Sequence, residues 1–158
     1  MDQNDNKILI MGLGNVLMGD EGIGVRAIEY LRQYKFPHNI TLLDGGTGGF
    51  HLLSLFDEYQ SFILIDATIS SDSEGIVSVI KPRFASDFPR TLTSHDIGLR
   101  DLMQSAQLLG DLPDISLITV SVKDFRDVKI GVSDILEKCL PDVYDAVCKT
   151  LIEKGIDL

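Results

Sequence analysis

With 158 residues, 44% of them apolar and 24% charged, the chain can bury a sizeable core without a stapling disulfide. Its net charge of −10 excludes a nucleic-acid surface, which needs a basic stripe to neutralise phosphates, and no apolar run approaches the ~18 residues of a membrane span. If their segment is helical, Cys139 and Cys148 lie on opposite sides of the helix and can neither pair nor chelate one ion together, so a reduced, cytoplasmic compartment is expected.

Met1 to Asn6 are polar and read as a frayed tail. The first strand is Lys7 to Met11, whose apolar run suits a sheet covered by helices on both faces. Gly12-Leu13-Gly14-Asn15 follows, then a short apolar step into Asp20-Glu21-Gly22-Ile23-Gly24. Asp20 is the expected N-cap of an amphipathic helix in which Ile23, Ala27, Leu31 and Tyr34 recur at three- to four-residue spacing up to Phe36-Pro37. Ile40 to Leu43 is a second strand ending at Asp44, followed by Gly45-Gly46-Thr47-Gly48-Gly49, and Phe50 to Phe56 is a short helix.

Ser61 to Asp66 is a third buried strand that stops at a carboxylate. Only Ala67 to Glu74 separate it from a fourth strand, Gly75 to Lys81, and a parallel crossover needs a dozen residues or more; the fourth strand is therefore expected antiparallel, at an edge. Pro82 to Thr93 is irregular. A helix begins near Thr93-Ser94-His95-Asp96, where Thr93 and Asp96 have capping-box spacing, and buries Leu99, Leu102, Met103, Ala106 and Leu109. Ile115 to Val122 is the fifth strand. Val132 to Lys154 is helical, interrupted at Pro141 and closed at Lys154-Gly155. The expected fold is a single α/β domain spanning the whole chain. It is a three-layer sandwich whose five-stranded, mostly parallel sheet has one antiparallel strand and helices on both faces.

In such a sheet ligands bind outside the carboxyl ends of the parallel strands. Asp20, Glu21, Asp44 and Asp66 all fall at that edge, and the helix leading into a parallel fifth strand brings His95 there too. Each has a structural alternative. Asp20 can cap its helix, Glu21 can complement the helix dipole, and Asp44 can form an Asx turn. Asp66 continues Phe-Ile-Leu-Ile and would be partly buried, while His95 in a first helical turn favours the neutral, metal-binding imidazole. Two carboxylates and one imidazole suit Ni, Zn, Fe or Mn with positions left open, although the spacing matches no compact metal motif. His38 and His51 acquire no role, and no serine or cysteine stands beside a paired base.

Two other functions share parts of this pattern. A dinucleotide site would use Gly12-x-Gly14 as a phosphate turn and Asp44 as the ribose acid, but the third glycine is replaced by Leu17, and Asp20 and Glu21 would repel a pyrophosphate. A receiver-like signalling module would use Asp66 as phospho-acceptor and Lys123 after the fifth strand. Its acids would have to follow the first strand directly, and an antiparallel fourth strand does not fit.

The blocks Gly12-x-Gly14-Asn15-x-Leu17-x-x-Asp20-Glu21-Gly22-x-Gly24-x-Arg26, Asp44-Gly45-Gly46-Thr47, Ile65-Asp66-Ala67 and Ser94-His95-Asp96-x-Gly98-Leu99 occur in that order, and together the sequence resembles the NiFe-hydrogenase maturation endopeptidases. The resemblance implies a cytoplasmic protease that removes a C-terminal extension from the hydrogenase large-subunit precursor after nickel insertion. It implies that Glu21, Asp66 and His95 contact the metal, with Asp66 as the candidate base, and that the loops around them are supporting. The nickel would be carried in by the substrate, and other divalent ions may take its place in vitro. Lys123-Asp124-Phe125-Arg126-Asp127 lacks the Pro-Glu found there in many members, a departure that bears on substrate pairing more than on activity.

Overall fold

The computed structural model describes residues 6–47, 50–70, 73–89, 99–123 and 128–158. Its regular elements are β1 (Ile8–Leu13), α1 (Ile23–Leu31), β2 (Ile40–Gly46), α2 (Phe50–Leu55), β3 (Ser61–Ile69), β4 (Val77–Ile80), α3 (Leu99–Leu109), β5 (Asp114–Val122) and α4 (Asp134–Glu153), with 3₁₀ turns at Gly19–Gly22 and Ala85–Asp87. The sheet order is β2-β1-β3-β5-β4. Four strands are parallel and β4 runs antiparallel to β5 at the edge, as the short connection from β3 requires.

Strand periodicity sorts the core into two layers. Ile8, Ile10, Ile63, Ile65, Ile118 and Val120 face α1 and α4, while Leu9, Met11, Phe62, Leu64 and Leu117 face α2 and α3. Both sides of β1, β3 and β5 are therefore buried, which is why β1 and β3 read as apolar runs and not as alternations, while β5 carries the buried hydroxyls of Ser116, Thr119 and Ser121. Among the described residues no helix is long and apolar enough to cross a membrane.

Several boundaries differ from the expectation. β1 continues through Gly12 and Leu13, because Gly12 pairs with Asp44 on one side and Ile65 on the other. β2 correspondingly runs on to Gly46. β3 does not stop at Asp66 but extends to Ile69, its register continuing from Asp66↔Thr119 to Ile69↔Val122. A carboxylate can sit inside a strand when a neighbouring backbone, here that of β5, still offers partners after β1 has stopped pairing at Ile65. α1 stops at Leu31, and Tyr34 lies beyond it, stacked on Tyr144 with ring centroids 3.9 Å apart, so it follows the apolar period without being helical.

Asp20 is not the cap of α1, whose N-cap is Gly22 without a side-chain hydrogen bond. The helix instead grows out of the 3₁₀ turn, where the Ile23 N–H donates to the Asp20 carbonyl. Nor is α4 interrupted, since it runs continuously through Pro141. Pro141 is exposed while Cys139, Leu140 and Val143 beside it are buried, so packing holds the helix and the carbonyl that lacks a donor lies on the wet face. The C-terminal end is as expected. Gly155 adopts φ +85°, the Gly155 N–H donates to the Ile152 carbonyl at 2.9 Å and the Ile156 N–H to the Leu151 carbonyl at 3.0 Å, a Schellman closure.

The expected N-terminal tail, except Asn6, lies outside the described residues, as do Gly48, Gly49, Thr93 to Asp96 with the capping box, and Asp124 to Asp127. Pro141→Ala restores a backbone donor within α4 and should raise stability by about 2 kcal/mol, the ~3 kcal/mol helix cost of proline less its ~1 kcal/mol restriction of the unfolded chain. Urea unfolding checks this, and an unchanged or lower midpoint would show that the proline is accommodated without cost.

Candidate active site

Glu21 and Asp66 reach the carboxyl edge of the sheet by different routes. Glu21 sits in the 3₁₀ turn that follows β1, and Asp66 is carried on β3, one residue beyond the Ile65 that pairs with Gly12. The turn can fold down over the strand ends because the backbone there has no side chains in the way. A Cβ on Gly24 would collide with the carbonyl oxygens of Leu13 and Ile65, one on Gly12 with the Gly24 carbonyl, and one on Gly14 with the Glu21 carbonyl. Three glycines thus let three stretches of main chain touch, and Glu21 and Asp66 end up only 8% exposed each.

Asn15 shapes the loop before the turn: its side chain accepts the Leu17 N–H at 3.0 Å and its carbonyl accepts the Met18 N–H at 3.0 Å. Asp20, 5% exposed, accepts the Ser133 N–H at 2.6 Å, so it secures the start of α4 and not that of α1. Arg26 adds a second tie, a two-pronged ion pair with Glu137 at 2.8 and 3.1 Å that raises the guanidinium pKa further through hydrogen bonding. The parallel bridge Met18↔Lys129 completes this junction, with the Gly19 N–H donating to the Lys129 carbonyl at 2.7 Å and the Lys129 N–H to the Leu17 carbonyl at 3.0 Å.

Asp44 has a different place. It is exposed at the outer strand β2, two strands from β3, and its side chain accepts the Gly46 N–H at 2.8 Å in an Asx turn. The Gly46 carbonyl in turn accepts the Gly14 N–H at 2.9 Å, so the Asp44-Gly45-Gly46-Thr47 loop braces the β1 loop. Asp66 Oδ1 accepts its neighbour's N–H, that of Ala67, at 2.8 Å, which fixes the side chain against its own strand. His95 lies outside the described residues, and the described part of α3 begins at Leu99. Among the described residues no three His, Cys, Asp or Glu side chains stand close enough to hold a metal ion. Carboxylate oxygens suit a hard or borderline divalent ion that completes its shell elsewhere.

No thiol competes for the chemistry. Cys139 is buried, donates to the Leu136 carbonyl at 3.0 Å, and burial together with the nearby Asp142 pushes its pKa up to about 11. A polar cavity of about 290 Å³ lies at the other end of the strands, lined by Ser61, Asp114, Lys81, Glu153 and Lys154 among others. Its charges are satisfied internally, Lys154 with Asp114 at 2.6 Å and Lys81 with Glu153 at 2.7 Å, and it is remote from the acids at the carboxyl edge. What the sequence reading missed is the 128–133 segment. Its signal was the Gly131-Val132-Ser133-Asp134 start of α4, with Ser133 as N-cap and Asp134 and Glu137 in the first turn.

Gly24→Ala forces overlap with two carbonyls and should cost about 2 kcal/mol or more. Asp20→Ala, which strands the Ser133 N–H, should cost about 2 kcal/mol, and Asp20→Asn, which keeps an acceptor, clearly less. Denaturant midpoints within error of the parent for Gly24→Ala and Asp20→Ala would refute this packing of the turn.

Comparison with known proteins identifies the family and its fold. The family model described as hydrogenase maturation protease matches residues 25–150. The hydrogenase expression/formation protein HupD of Bradyrhizobium diazoefficiens is 33% identical over 158 residues, covering 96% of this chain and 81% of its own length. The hydrogenase 2 maturation protease of Escherichia coli is 29% identical, covering 96% of this chain and 94% of its own. The solved structure of the hydrogenase-maturating endopeptidase HybD from E. coli superposes with a TM-score of 0.83 at 29% identity, covering 96% of this chain and 95% of that one. By family model, relatives and fold together, the chain belongs to the hydrogenase maturation proteases.

Proposed function

We propose that this endopeptidase removes the C-terminal extension of a NiFe-hydrogenase large-subunit precursor only when nickel is already seated in that precursor, and that Glu21, Asp66 and His95 read the ion. Membership of the family makes the chain a hydrolase of the hydrogenase-maturation type acting on the large-subunit precursor. It also sets aside the nucleotide-binding and phospho-acceptor readings. The observation that supports the residue roles is the packing of two acids, each 8% exposed, at the shared end of β1 and β3. Carboxylate oxygens gathered at one sheet edge are hard donors, and such an edge is suited to a divalent cation.

In this reading the nickel belongs to the substrate and the protein supplies incomplete coordination. Asp66, held rigidly on β3, is the base. It takes a proton from water as the oxygen adds to the scissile carbonyl carbon, and the proton passes to the departing amine nitrogen as the C–N bond breaks. Glu21 contacts the metal from the 3₁₀ turn and orients the peptide through it, with His95 as the third contact. Precursor lacking nickel would offer neither the positive charge nor the orientation. In this reading other divalent ions substitute at the same contacts in vitro, and the class is a metal-assisted one. The reaction is placed in the cytoplasm, consistent with two cysteines that are both unpaired thiols.

Incubation with nickel-loaded and nickel-free precursor tests the gate: loaded precursor should be shortened and the nickel-free form left intact, while equal cleavage of both removes the metal from the reading. Glu21→Gln, Asp66→Asn and His95→Gln should each lower processing at least 100-fold with unchanged circular dichroism, by analogy with the loss of a metal contact or a base. Retained turnover in any of them returns that residue to a structural role.

A further inference from the structure

Beside the turn that carries Glu21, residues 128–130 form a short strap bonded to the turn on one side. Both backbone polar groups of Lys129 are spent on the Leu17 carbonyl and the Gly19 N–H. In a planar trans peptide the C=O of one residue and the N–H of the next are opposed, so the Val128 C=O and the Ile130 N–H point away from the turn. Neither residue makes a hydrogen bond among the described residues. Their side chains are also uncovered, Val128 at 78% and Ile130 at 81% exposed, and across the bridge Val16 and Leu17 are 47% and 53% exposed. An open edge flanked by bare apolar side chains is what an incoming strand pairs with.

We propose that this edge receives the segment of the precursor that contains the cleaved bond, as an added strand, with apolar side chains of the peptide seated on Val16, Leu17, Val128 and Ile130. The occupant follows from continuity with the site: Leu17 and Gly19 are joined to the strap and lead directly into Asp20 and Glu21, so a peptide lying on the strap is delivered to the carboxylates. A protease substrate must be extended where it is cut, and strand pairing holds it so through backbone atoms alone. Specificity then comes from the apolar contacts, a sequence-tolerant means of holding a tail whose cleavage is licensed elsewhere. The inference rests on the proteolytic reading above.

A synthetic peptide spanning the cleavage region of the precursor provides the direct probe. On binding, amide exchange at Ile130 should slow by about tenfold or more, whereas that at Lys129, already bonded, changes little. Ile130→Pro removes an outward donor, and the paired change Val128→Ser, Ile130→Ser removes the apolar cover while keeping the backbone. Each should raise KM for nickel-loaded precursor about tenfold while kcat falls by less than twofold. Bound peptide without slowed exchange, or unchanged KM in the serine variant, overturns the edge as docking site while leaving the protease reading intact. Slowed exchange that depends on protein concentration without peptide assigns the edge to a second copy of this chain and likewise overturns it. Failure of the unaltered protein to cleave loaded precursor overturns the activity on which the proposal stands.

Discussion

Everything at the carboxyl edge depends on the close approach of main chain to main chain at Gly12, Gly14 and Gly24. A helix that begins after a strand normally stands off from the strand ends by the thickness of its side chains. Here the first turn of α1 is drawn in until the Gly24 backbone touches the carbonyls of Leu13 and Ile65. That contact sets the depth of Glu21, and with it the placement of a turn residue beside a strand residue 45 positions later in the chain. The glycines are not there to cradle a phosphate. They remove the spacing that would otherwise hold the turn away from the strand ends, and the same absence of side chains leaves no room for substitution.

A second set of contacts keeps that turn from rising again. Asp20 to the Ser133 N–H, Arg26 to Glu137, and the Met18↔Lys129 bridge all join the start of α1 to the start of α4. The two helices lie on the same face of the sheet over the Ile63, Ile65, Ile118 and Val120 layer. Polar ties at their amino ends and apolar packing along their lengths therefore act on one rigid unit. The motif residues Asp20 and Arg26 are explained by this unit without contact to any substrate.

The strands and their layers were legible because burial on both faces leaves a continuous apolar run, and the antiparallel edge strand followed from chain length alone. Strand ends were not legible. Asp66 looked like a terminus since a carboxylate rarely continues a buried strand, yet whether β3 stops depends on whether β5 still offers partners, and β5 stays paired with β3 through Val122. Asp20 was read as a local cap because its most common partner is two or three residues away, whereas the real partner, Ser133, is 113 residues distant. Pro141 was read as a break because local propensity is visible in a sequence and the packing of Leu140 and Val143 is not. The convergence of Glu21 with the end of β3 was legible as topology. The bracing by residues 128–133 was not, since a single bridge leaves no periodic trace.

The continuation of β3 past Asp66 divides the site into parts of unequal permanence. Asp66 is flanked by residues paired to β5 as far as Ile69, so its backbone can leave only if the centre of the sheet separates, an opening whose free energy approaches that of global unfolding. The strap around Lys129 is held by two hydrogen bonds and opens at far lower cost. On the roles proposed above, a tail would be admitted and released by small, frequent excursions at the rim while Asp66 stays in register throughout. Turnover and fidelity are served by different elements, and a change that loosens one need not disturb the other.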